Sequence, residues 1–160
     1  MVMMMTRRRF LILAGAAAGA AVAPAIWAAL GRAPADAGAP AIQYGRDRCD
    51  ACGMIISDAR FAAAARQGAR VSRYDDIGCL ARHAGRELAR GQAQGYVHDA
   101  GTEQWLDAGG AAYVRSPAIR TPMGTGVAAY ATPDAARAAH PSVPVVALDQ
   151  LLEVWMKERM

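Results

Sequence analysis

Cys49-Asp50-Ala51-Cys52-Gly53-Met54 places two thiols and a thioether within six residues of this 160-residue chain. Such a soft donor set selects Cu(I), and to a lesser degree Zn(II), over hard cations. Gly53 carries no side chain, and on an extended backbone Cys52 and Met54 would point to the same side of one ion. The same C-x-x-C spacing also suits a redox or structural disulfide, or a pair of small buried residues. The hexapeptide alone leaves these readings open.

Other donors lie further along. Met123 sits in Thr121-Pro122-Met123-Gly124-Thr125-Gly126, where proline and two glycines dictate a turn. A thioether on a rigid turn would suit a copper site, or would cap the core from a loop. Cys79 falls in the first turn of an expected helix, where the helix N-terminus favours thiolate. Four residues on, His83 shares its face, opposite the apolar stripe, which is ligand spacing; the alternative is a solvated face with Arg82 and Arg86. His98 ends a strand, as a metal ligand or a hydrogen-bonded structural residue. His140, beside Pro141, reads as loop surface. Cys52 is followed by Gly53 rather than histidine, so c-type haem attachment is excluded, and a single C-x-x-C cannot supply a four-cysteine zinc site. No Ser/His/Asp constellation, P-loop or dinucleotide fingerprint is present.

The elements that must position these residues are short. Met54 to Ile56 reads as extended. Phe61 to Arg66 and Ala69 to Tyr74 read as a hairpin turning at Gln67-Gly68. Asp75 or Asp76 caps a helix reaching about Arg90, with the stripe Ile77, Leu80, Ala81, Ala84 and Leu88, and Gly91 ends it. Strands follow at Tyr96 to Asp99, Glu103 to Asp107, Ala111 to Arg115 and Val127 to Ala131. Pro133 opens a second helix to Ala139. Val143 to Ala147 is the last strand, and Asp149 to Lys157 the last helix. The chain thus makes two passes of strand-strand-helix-strand, about Phe61 to Asp99 and Ala111 to Ala147. The fold class is α+β with antiparallel pairing, two ββαβ-like halves in one small domain.

Composition narrows the function. The chain is 54% apolar but only 6% aromatic, so the core is modest and built largely of alanine. Four of its eighteen basic residues, Arg7, Arg8, Arg9 and Arg32, precede Asp36, leaving fourteen basic against fourteen acidic residues. That balance, without a basic stripe, excludes nucleic-acid binding. Thr6 to Leu11 carries a twin-arginine pattern, and Phe10 to Leu30 is uncharged. Residues 1–35 therefore read as a twin-arginine export signal or an uncleaved N-terminal membrane anchor, without a lipobox. Residues 36–47 read as a linker and 48–160 as the exported domain. In the periplasm disulfides persist, and a Cys49–Cys52 bridge would leave Cys79 free.

Taken together, these residues resemble the NosL family, the copper chaperones of nitrous oxide reductase maturation. The resemblance runs from Cys49-x-x-Cys52-Gly53-Met54-Ile55-Ile56 through Tyr74-Asp75-Asp76-Ile77-Gly78, Tyr96-Val97-His98-Asp99, Trp105-Leu106-Asp107-Ala108, Ala112 to Ser116, and Pro122-Met123-Gly124. It covers about Cys49 to Leu152. It implies a non-enzymatic periplasmic Cu(I) metallochaperone with a fold shared with the organomercurial-lyase group. Its partner would be nitrous oxide reductase, its maturation machinery or a related cuproprotein. Cys52 and Met54 match the family's C-x-M element and Met123 its Pro-Met-Gly element. Cys49 matches a position that is cysteine in many members, and Cys79 is similar to a subgroup feature. Cys49, Cys79 and His98 are the candidates to complete the site. Three departures stand out: many members are lipoproteins, Gly78-Cys79 is that subgroup feature, and Arg120-Thr121-Pro122 replaces the usual Gly-Pro before the methionine. The alternative is a periplasmic thiol-disulfide protein using Cys49 and Cys52.

Overall fold

Small and β-branched residues on either side of Gly68 make the first hairpin, β1 (Ala63–Gln67) and β2 (Arg70–Tyr74). Gln67 pairs with Arg70, so Gly68-Ala69 is the turn, one residue beyond the expected position. Gly68 supplies the positive φ of 58° that a two-residue connection requires. The computed structural model describes residues 38–157, so the expected export or anchor segment lies outside the described residues. Among the described residues, no helix is long and apolar enough to cross a membrane.

Helix α1 (Ile77–Ala89) follows the hairpin. Its N-cap is Asp76, whose Oδ1 accepts from the Gly78 N–H at 2.7 Å. At the other end the N–H of Gln92 donates to the Glu87 carbonyl and that of Gly91 to Leu88, with Gly91 at φ +66°. This double closure is the usual glycine stop of a helix. Strands β3 (Gln94–His98) and β4 (Trp105–Asp107) complete an antiparallel sheet of order β2-β1-β3-β4. Glu103, expected in β4, instead takes φ 58° in the turn, where its N–H donates to the Asp99 carbonyl.

The second pass repeats the plan. Strands β5 (Ala112–Arg115) and β6 (Val127–Tyr130) precede helix α2 (Pro133–Ala139) and strand β7 (Val145–Val146). The sheet order is β6-β5-β7, all antiparallel. In both halves the first strand is central, flanked by its hairpin mate and by the strand that follows the helix. Strand β7 is shorter than Val143 to Ala147, and Pro144, which has no N–H to donate, adjoins its start. Asp99 joins the halves: it bridges Ala129 in parallel, and its Oδ2 accepts from the Ala131 N–H at 2.7 Å.

Helix α3 (Leu148–Lys157) closes the chain, burying Leu151, Leu152 and Trp155 in the core that holds Ile77, Leu80, Ala81 and Ala84 of α1. Ala62, Ala63 and Ala65 are buried in the same core, and their small size lets helix and sheet approach closely. A smaller core lies around Phe61, Val114, Ala128 and Tyr130. The expected linker is docked over its described part. Pro40 is buried and Ile42 packs on the main core. The Ala41 carbonyl accepts from Arg73 Nε at 2.7 Å. The Gly38 carbonyl likewise accepts from Arg66 Nη2 at 3.0 Å.

Candidate metal centre

The hexapeptide forms a tight reverse turn. The Cys49 N–H donates to the Met54 carbonyl and the Gly53 N–H to the Cys49 carbonyl, both at 2.8 Å, and Arg48 bridges Ile55. Gly53 closes the turn at φ +78°, a conformation that favours glycine. The backbone is therefore not extended between Cys52 and Met54, contrary to expectation. Two reciprocal bonds dock this turn on β2: Asp50 N–H to the Arg73 carbonyl at 2.8 Å, and Arg73 N–H to Asp50 Oδ2 at 2.7 Å.

That docking sets Cys49 and Cys52 beside the β2-to-α1 junction. Sγ of Cys49, Cys52 and Cys79 and a carboxylate oxygen of Asp75 all lie within 4.8 Å of one another. Cys49, Cys79 and Asp75 are buried, at 3%, 3% and 1% exposure, while Cys52 is exposed. The Cys52 thiol donates to Asp75 Oδ1 at 3.4 Å. The other oxygen, Oδ2, is buried without a hydrogen-bond partner.

Burial pushes the Cys49 thiol up to about 11, and the adjacent Asp75 carboxylate adds to the shift. Burial first, then Cys49 and Asp75 beside it, pushes Cys79 up further. The expected thiolate at the helix N-terminus is thus outweighed by desolvation and negative neighbours. Cys79 is also not on a solvated face with His83. The Cys49–Met54 turn covers the back of the first helical turn, whereas His83, one turn on, bonds the Tyr74 hydroxyl through Nδ1 at 2.9 Å.

Met123 is half-buried against the core that includes Cys49 and Cys79. Its turn is anchored at the start of α1: the Met123 N–H donates to Asp76 Oδ2 at 3.0 Å, and the Thr125 hydroxyl donates to Asp76 Oδ1. A side chain at Gly78 would collide with Thr125. Met54 is 52% exposed, two residues past Cys52. His98 is not brought into the cluster. Its Nδ1 faces the Glu103 carbonyl at 2.8 Å and so carries the proton, which leaves Nε2 to accept from the Tyr44 hydroxyl at 2.7 Å. Each histidine is paired with a tyrosine hydroxyl, His140 with Tyr130 at 2.9 Å.

Asp75 is the residue that the sequence reading passed over, as one of two possible helix caps. The signal was the pair itself: one helix needs one cap, Asp76 provides it, and Asp75 is surplus.

The span 41–141, which contains every residue of the cluster, matches the sequence model of the family described as NosL. The chain belongs to the NosL family. A solved structure titled as the copper chaperone NosL from Shewanella denitrificans aligns with it at a TM-score of 0.53 and 20% identity. That alignment covers 69% of this chain and 92% of the other, and at this identity the likeness is one of fold. Among curated proteins, none matches the chain. The α+β fold with antiparallel sheets and two like halves is therefore that of a NosL protein, and the cluster sits where its hexapeptide meets its first helix.

Proposed function

We propose that this NosL protein carries Cu(I) on Cys49, Cys52 and Cys79 in the periplasm. It would hand the ion to nitrous oxide reductase, its maturation machinery or a related cuproprotein. The observation that carries this reading is the convergence of three thiols within 4.8 Å, two buried and one exposed. Three soft donors match what Cu(I) prefers. The buried pair would retain the ion, and exposed Cys52 would exchange first with a donor from a partner. Met54, exposed on the same turn, and Met123, anchored at the α1 N-terminus, are the thioethers we assign to entry and to the inner wall. We assign His98 no ligand role, because both ring nitrogens are engaged.

Thiol-disulfide exchange is less well supported. Reactive redox cysteines have thiol pKa values lowered by their surroundings, whereas those of Cys49 and Cys79 are raised. A bound cation reverses that penalty by deprotonating its thiol ligands. The role is that of a carrier, not an enzyme, and the export route follows the twin-arginine pattern at the N-terminus.

The test is copper transfer. Reduced protein loaded with one equivalent of Cu(I) is mixed anaerobically with copper-free nitrous oxide reductase, and the copper content of each is followed after separation. Copper should move to the enzyme. Failure to load at all would overturn the carrier reading, and loading without transfer would overturn the client.

A further inference from the structure

Copper carriage leaves Asp75 unexplained. Cu(I) takes two or three soft sulfurs and has little use for a hard oxygen. Helix capping does not explain it either, since Asp76 is the cap. Yet Asp75 is 1% exposed, its Oδ2 is buried without a partner, and its Oδ1 takes the Cys52 thiol at 3.4 Å. A buried carboxylate whose hydrogen-bonding neighbours are thiols is one that a bound cation would compensate. Its oxygen shares the 4.8 Å cluster with all three thiols.

Three cysteine sulfurs and one carboxylate oxygen are the number and kind of donors that a tetrahedral Zn(II) site uses. We propose that Cys49, Cys52, Asp75 and Cys79 close around a borderline divalent cation of the Zn(II) class, with Asp75 as fourth ligand. The inference rests on the reading that the cluster is a metal site, and adds a second cargo to it. Tetrahedral zinc with sulfurs at about 2.3 Å sets them about 3.8 Å apart. Donor atoms that lie within 4.8 Å of one another need draw in by no more than about 1 Å to reach that spacing, and Cys52, exposed on its turn, has the freedom to move inward. In this state the position that Cu(I) exchange needs is filled by Asp75, so the divalent ion excludes copper rather than binding beside it.

Co(II) is the probe. Added anaerobically to the reduced full-length protein, one equivalent should give the intense visible bands of a tetrahedral ion and sulfur-to-cobalt charge transfer. One equivalent of Zn(II) should abolish both. Asp75→Asn should weaken Co(II) binding about ten-fold or more, a larger loss than it imposes on Cu(I). Zinc-edge X-ray absorption of the unmutated protein decides the ligand set without any variant. Three sulfurs near about 2.3 Å and one oxygen near about 2.0 Å are expected. A protein that takes up Cu(I) but gives no cobalt spectrum would overturn the inference and leave the copper reading standing. So would a folded Asp75→Asn variant with unchanged Co(II) affinity, or a zinc shell lacking the oxygen. A protein that binds neither metal would overturn both.

Discussion

The backbone N–H of Met123 donates to Oδ2 of Asp76 at 3.0 Å, across 47 residues of chain. One carboxylate thereby caps the helix that carries Cys79 and holds the turn that carries Met123. Asp76 is fully buried and also accepts from the Gly78 N–H and the Thr125 hydroxyl. Removing it orphans three donors at once. Asp76→Ala should destabilise the fold by about 3 kcal/mol, read from urea unfolding followed by tryptophan fluorescence. A loss below about 1 kcal/mol would fit a single surface cap and contradict this shared role.

Gly78 lies between that cap and Thr125, with no room for a methyl group. Gly78→Ala would ordinarily stabilise a helix. Here it should cost about 1–3 kcal/mol through overpacking, because Thr125 is pinned by Asp76 and cannot retreat. Combining Gly78→Ala with Thr125→Ser, which removes the obstructing methyl, should recover part of that loss. An unchanged melting temperature for Gly78→Ala alone would show that the turn moves freely.

His98 gives the fold a pH dependence. Burial holds its pKa below the ordinary 6.5. Between the folded and unfolded values, the unfolded chain takes the proton and the native state does not. Its contribution is therefore present above about pH 6.5 and is lost as the pH falls through the depressed value. The melting temperature should be flat from pH 8 to about 7 and decline below about 6.5. His98→Gln should flatten that decline; an unaltered profile would place its origin elsewhere.

The three thiols are close enough that oxidation competes with copper. Mild oxidation should bridge Cys52 to Cys49 or Cys79, and Cu(I) uptake should disappear and return with reductant. Alkylation followed by mass spectrometry counts the free thiols at each stage. Full uptake by protein with only one alkylatable cysteine would contradict a multi-thiol site.

Much of this was legible in the chain. The stripe Ile77, Leu80, Ala81, Ala84 marked α1 and its buried face, and Gly91 marked its end, because both follow from local period and backbone freedom. The two strand-strand-helix-strand passes followed from the same patterns. What stayed hidden was tertiary. Cys79 reads from helical period as opposite the apolar stripe, yet it is buried in the same core as Ile77 and Leu80, beside the docked Cys49–Met54 turn. Asp75 and Asp76 are alike as letters. Their roles part only when the helix start, the Met123 turn and the cysteine turn are placed around them. For His98 the sequence left a metal ligand and a hydrogen-bonded structural residue open, and its two partners, Tyr44 and the Glu103 carbonyl, come from flanking loops.

The central claim is that Cys79, thirty residues beyond Cys49, shares one copper site with the hexapeptide. It is tested most directly by anaerobic Cu(I) titration against a chromophoric chelator, for the reduced protein and for Cys79→Ser. The account predicts one tight equivalent in the unmutated protein and an affinity at least about ten-fold weaker in the variant. Equal affinity in both, with the variant folded, would contradict it and confine copper to Cys49–Met54.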